Sequence, residues 1–211
     1  MTEGERKSHM ELICLGDSIT YGYGVKRSQR WTDLAEAESG WKLHNYGVCG
    51  DTCGGMLARL RELLQTLPGR RDERFFLLMG GCNDIFYSSS SAGAKENMAA
   101  MVHQLFSLGE APMVGICPGI AEGNYPVSWV SAVDFAGART MIQEYGQWQE
   151  RFCNAFGVRC VDFRSDFTDR GGKLREDLYL DGLHPNREGH RVMAERILKV
   201  IAVMEREQMN P

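Results

Sequence analysis

ELICLGDSIT, residues 11–20, runs from an apolar stretch straight into a glycine, an aspartate and a serine. A short apolar run bounded by turn residues reads as a buried strand, and the polar cluster behind it lies where that strand ends. The arrangement recurs. Apolar runs at 42–46, 75–79, 112–117 and 158–162 join the one at 11–15, with longer helical patterns between them. Strands alternating with helices predict βαβ units around a parallel sheet, hence an α/β fold.

The helical patterns supply covers for that sheet. Leu57, Leu60, Leu64 and Leu67 fall on one helical face, and Pro68-Gly69 stops the helix. A last helix starts after Pro185 with Asn186 as N-cap, and aligns Met193, Ile197, Val200, Ile201 and Met204 on one side. Between Gly119 and Phe135 neither period holds, yet the stretch carries Tyr125, Pro126, Val127, Trp129 and Val130. A long loop with apolar content is a candidate wall for a binding site.

With 211 residues, 43% of them hydrophobic, the chain reads as one domain over 1–211, preceded within it by a flexible terminus at 1–9. A formal charge of -4 gives no pull toward nucleic acid or an anionic membrane. The basic stretch Arg70-Arg71-Asp72-Glu73-Arg74 carries its own acids and reads as a solvated loop. Small neutral partners fit better. The charged start does not resemble a signal peptide, and no apolar run approaches the roughly 20 residues of a membrane span. Seven cysteines, several within apolar runs as at Cys14, Cys117 and Cys153, suit free thiols in a reducing cytoplasm. Cys49 and Cys53 lack the second pair or histidines that zinc would want, so no metal is expected there.

In an open parallel sheet, ligands bind beyond the carboxyl ends of the strands. Four glycine-rich polar clusters converge on that edge: Gly16 to Thr20, Asn45 to Thr52, Gly80 to Asp84, and Asp181 to Pro185. A serine hydroxyl becomes a nucleophile only when a base takes its proton. For Ser18 the base is His184, since His9 lies in a charged terminus, His103 and His190 in helical patterns and His44 in a strand. Asp181, three residues before it, can accept from the ring Nδ1 if the chain turns at Gly182, leaving Nε2 for Ser18. Carbonyl attack also needs donors for the oxyanion, and the Gly50 N–H, the Asn83 amide and the Ser18 N–H supply them. Expected substrate-binding walls are Ile85, Phe86 and Tyr87 with Tyr125 and Trp129 from the 119–135 loop. Asp17 and Asp51 read as loop-holding residues and His190 as part of a helix face. Cys49 and Cys82 stand next to Gly50 and Asn83, which puts two thiols near the site.

These blocks, GDSIT, NYGVCGDT, GCND and DGLHP, resemble those of the SGNH hydrolases, the GDSL lipase and esterase family. The segment from Gly50 to Leu60 is further similar to the compact bacterial branch of thioesterases, arylesterases and lysophospholipases. The resemblance implies a flavodoxin-like three-layer α/β/α sandwich with a five-stranded parallel sheet, no metal and no organic cofactor. It assigns Ser18, Asp181 and His184 to a catalytic triad and Ser18, Gly50 and Asn83 to an oxyanion hole. The activity implied is hydrolysis of carboxylic esters, with thioesters or acetylated sugars as further substrates. GDSI replaces GDSL, one apolar side chain for another. Two readings of other kinds compete. A flavodoxin-like binding module would leave Asn83, Asp181 and His184 unused. A metal-dependent phosphoesterase would draw on Asp17, Asp51, Asp84, Asp181 and His184 with only one histidine among its ligands.

Overall fold

The computed structural model describes residues 10–67, 73–123, 125 and 127–209. In chain order these form β1 (Glu11–Gly16), α1 (Ser18–Tyr21), α2 (Trp31–Ser39), β2 (Lys42–Gly47), α3 (Cys53–Thr66), β3 (Arg74–Met79) and α4 (Cys82–Ser88). There follow α5 (Ala92–Ser107), β4 (Ala111–Ile116), α6 (Val127–Val130), α7 (Phe135–Phe156), β5 (Arg159–Asp162) and α8 (Arg187–Met209). Each expected strand forms, with ends moved by a residue or so. The 119–135 stretch differs from a plain loop: it contains the single turn α6, and Phe135 already opens α7, which Asp134 caps by accepting from the Gly137 N–H at 3.1 Å. The N-terminal residues 1–9, the stop at Pro68-Gly69 and residues 70–72 of the basic stretch lie outside the described residues.

The five strands are all parallel, in the order β2-β1-β3-β4-β5. This is the flavodoxin-like order, whose chain reverses direction of growth between β1 and β3. Register makes that reversal a usable edge. Gly16 stands level with Gly47 on one side and Met79 on the other, so the loops leaving β1, β2 and β3 open at the same height.

Burial explains why the strands read as continuous apolar runs. Leu12, Ile13, Cys14 and Leu15 of β1 and Phe76 to Met79 of β3 are buried, because helices cover both faces. α2 packs with α8, α3 with α5, and α4 with α7. α3 buries Cys53, Met56, Leu57 and Leu60, and α8 buries Met193, Ile197, Ile201 and Met204. Each of these Leu, Ile and Met side chains removed from water contributes about 1.5–3 kcal/mol. Asn186 caps α8, accepting from the N–H groups of Glu188 at 2.9 Å and Gly189 at 3.1 Å. At the opposite edge of the sheet Arg74 and Glu110 form a buried ion pair joining the starts of β3 and β4. No helix among the described residues is long and apolar enough to cross a membrane.

Candidate active site

β1 must stop at a glycine. A Cβ at Gly16 would lie 2.6 Å from the Met79 carbonyl oxygen and overlap the Thr20 hydroxyl. The next residue, Asp17, is the N-cap of α1 and accepts from the Ile19 N–H at 2.9 Å. Ser18 therefore starts a helix at the sheet edge. Burial pushes the Asp17 carboxyl up to about 6, against the opposing pull of the Ile19 N–H and of His184.

Gly182, at φ +81°, turns the chain so that Asp181 and His184 face each other. One Asp181 oxygen accepts from the backbone N–H groups of Leu183 at 3.1 Å and His184 at 2.8 Å, and the other lies 2.8 Å from His184 Nδ1. Burial raises the Asp181 carboxyl, but the His184 ring and backbone N–H bonds and the nearby imidazole outweigh it and hold the group below its ordinary value. A carboxylate there fixes the tautomer with the proton on Nδ1, which leaves the Nε2 lone pair free. Nε2 is 3.0 Å from Ser18 Oγ.

On the other side of Ser18, Gly50 takes φ +77°, and among the described residues its N–H donates to no protein acceptor. Gly81, at φ +118°, starts α4, where a Cβ would strike the Tyr145 ring. Asn83, in the first turn of α4, donates from Nδ2 to the Asp51 carbonyl at 2.8 Å, which orients the amide and leaves its second N–H. Asp84 accepts from the Cys53 N–H at 2.8 Å and pins α4 to α3.

Arg59 holds these loops together, and nothing in the sequence singled it out. From the partly buried side of α3 it donates to the Gly16 carbonyl at 2.9 Å, the Tyr46 carbonyl at 2.8 Å and, from Nε, the Asp51 carboxylate at 2.8 Å. One guanidinium thus ties the ends of β1 and β2 to the loop bearing Gly50.

A cavity of 460 Å³ opens over Ser18, Gly50, Asn83 and His184, with walls from Tyr23, Phe86, Tyr87, Trp129, Val133 and Phe135. Two expected wall residues stand elsewhere. Ile85 is buried in the core, and Tyr125 lies behind the wall, stacked on Phe135 with ring centroids 3.8 Å apart. Cys49 is exposed on the cavity rim, whereas Cys82 is buried; burial and the nearby Asp17 charge raise the Cys49 thiol above its ordinary value. A larger cavity of 810 Å³ lies beyond β4 and β5. Its Arg164 pairs with Asp162 and Glu150 and its Arg139 with Glu122. Among its described lining residues, the Ser165 and Thr168 hydroxyls donate to the backbone carbonyls of Asp162 and Arg164. Among the described residues no group of three His, Cys, Asp or Glu could hold a metal ion.

Comparison with known proteins gives one consistent result. The profile of the GDSL-like lipase/acylhydrolase family matches residues 14–192. Esterase TesA of Pseudomonas aeruginosa is 26% identical over 180 residues, 82% of this chain and 79% of that protein. A lipolytic G-D-S-L family protein from Veillonella parvula superposes with a TM-score of 0.77 at 25% identity, over 90% of this chain and 97% of the other. Est24, a carbohydrate acetylesterase from Sinorhizobium meliloti, shares the fold with a TM-score of 0.75 at 18% identity, covering 92% of this chain and 99% of its own.

Proposed function

The chain belongs to the GDSL-like lipase/acylhydrolase family, and from that premise we propose that it hydrolyses small uncharged carboxylic esters through an acyl-enzyme on Ser18. The observation that carries this reading is the unbroken line of short contacts from Asp181 through His184 to Ser18, at 2.8 and 3.0 Å. Ser18 Oγ attacks the ester carbonyl carbon while His184 Nε2 takes its proton. Negative charge gathers on the former carbonyl oxygen, where the Gly50 and Ser18 N–H groups and the free Asn83 N–H receive it. The tetrahedral species collapses, the leaving alkoxide takes the proton from Nε2, and the alcohol departs. Water then repeats the sequence on the acyl group, with Nε2 again as base, and restores Ser18.

Among the described residues, the titratable groups that line the cavity are His184, Cys49 and two tyrosines. A wall whose described residues include no Lys, Arg, Asp or Glu favours an uncharged substrate, since a charged one would lose hydration without a partner. The same steps serve a thioester or an acetylated sugar, and a structural neighbour is named a carbohydrate acetylesterase. Seven unpaired cysteines support the reducing cytoplasm as the place of action.

The test is hydrolysis of p-nitrophenyl acetate, butyrate and octanoate by the wild type and by Ser18→Ala, with and without a chelator. The expected result is turnover by the wild type, loss of nearly all of it in Ser18→Ala, and no effect of the chelator. Equal rates for the two proteins would overturn the assignment of Ser18.

A further inference from the structure

Among the described residues the aromatic ring nearest the His184 imidazole is that of Tyr23, with ring centroids 4.4 Å apart and planes inclined at 40°. Its position is built in by the backbone. Gly22 at φ 83° and Gly24 at φ 80° flank it, both in the left-handed region. The Tyr23 N–H donates to the Ser18 carbonyl at 3.0 Å. A Cβ at Gly24 would strike the Leu180 side chain, and one at Gly22 would meet Arg30 Cγ at 2.5 Å. The chain leaving the nucleophile is thus hooked back, between two glycines, so that the fifth residue after Ser18 covers the base. Trp129 approaches the imidazole from another element, with ring centroids 6.0 Å apart and planes at 67°.

We propose that Tyr23 is a positioning residue for His184, its ring face holding the imidazolium that exists while the proton of Ser18 rests on Nε2. The proposal rests on the Ser18–His184 reading above. An aromatic face within about 6 Å of a cation attracts it through the ring quadrupole, and the attraction grows as the imidazole gains charge, so it favours the transition state over the resting enzyme. The other titratable groups around the imidazole are Asp181 at Nδ1, Asp17 through its charge and His190 on α8. Asp181 and Asp17 favour the imidazolium and a charged His190 would oppose it. Tyr23 adds support through its ring face.

A ring that merely shields the imidazole from water makes the opposite prediction. Shielding disfavours the charged form, so removing the ring would let His184 keep its proton to higher pH. Removing a cation-binding face makes it lose its proton at lower pH. The experiment follows the His184 Cε1–H resonance by NMR against pH in Ser18→Ala, alone and combined with Tyr23→Phe or Tyr23→Leu, beside kcat/KM profiles of the two Tyr23 variants with Ser18 intact. Tyr23→Leu should lower the imidazole midpoint by about half a unit and kcat by about threefold, the range expected for a half-exposed cation–π contact. Tyr23→Phe, which keeps the ring, should leave both near wild type. An upward shift, or a change in KM alone, would make Tyr23 only a wall and overturn the proposal. If Ser18→Ala itself remains active, the parent reading fails instead, and the NMR midpoints still report the ring contact on their own.

Discussion

Asp17→Asn should make the protein more stable at neutral pH, although it removes a charged cap from the helix that carries Ser18. The wild-type carboxyl is 1% exposed and burial lifts it from 3.8 to about 6. Below the lower value both folded and unfolded chains hold the proton, and the group adds nothing to the pH dependence. Between the two values the unfolded chain ionises while the folded one keeps its proton, so stability falls as pH rises. Above about 6 the whole cost is present: about two units at 1.36 kcal/mol each, or about 3 kcal/mol. An asparagine keeps the acceptor for the Ile19 N–H, is an equally good N-cap, and has no charge to desolvate. The assay is urea unfolding of both proteins from about pH 4 to about pH 8, plotted as the difference in unfolding free energy. Over that range the difference should grow toward neutrality by about 2.5 kcal/mol, since a small part of the cost is already present at about pH 4. Taking the difference cancels His190, whose proton affinity is lowered to about 4 by burial, Arg30 and His184 and whose own effect runs the other way, toward instability in acid. A flat difference, or one that grows toward acid, would refute the reasoning.

Three further perturbations separate chemistry from scaffold. Asn83→Ala should lower kcat by about 10²–10³ with little change in KM, as expected for a lost oxyanion donor; steady-state kinetics on p-nitrophenyl butyrate decides it, and a fall below about tenfold would remove Asn83 from that role. Iodoacetamide should slow hydrolysis by labelling Cys49 on the cavity rim, slowly at neutral pH because its thiol is held above its ordinary value, and Cys49→Ser should resist. Peptide mapping that shows label on Cys49 with undiminished activity would contradict the crowding. Glu110→Gln breaks the buried ion pair with Arg74 and should cost about 3–5 kcal/mol in urea unfolding, with the folded fraction keeping its wild-type kcat.

The sheet was legible because it is covered on both faces. Strands buried on two sides, such as 75–79, cannot alternate, and short apolar runs were all the reading needed. The clusters that follow β1, β2 and β3 were legible for the same reason, since strand ends fix where polar residues can emerge. What failed was the direction of side chains on elements too short to show a period. Phe86 and Tyr87 stand three and four residues after Asn83 on α4 and reach the same cavity, whereas Ile85, two residues on, points into the core. Tyr125 lay in a stretch with no period at all, and only its stack on Phe135 shows that it backs the wall. Arg59 could not be found from the sequence, since an arginine on a helix's polar side looks like any solvated charge until the carbonyls it reaches are known. Tyr23 left a faint trace: a tyrosine set between two glycines, five residues after the serine.

The Arg59 clamp and the cavity walls divide the molecule into a part that resists change and a part that invites it. The clamp binds Gly16, Tyr46 and Asp51, and none of these is a wall residue. Phe86, Trp129, Val133 and Phe135 come from α4 and the 119–135 stretch, outside that set of bonds. A combinatorial library confined to those four positions would therefore sample new specificities on an undisturbed chassis, whereas diversity introduced at Arg59 would yield inactive clones whatever the substrate.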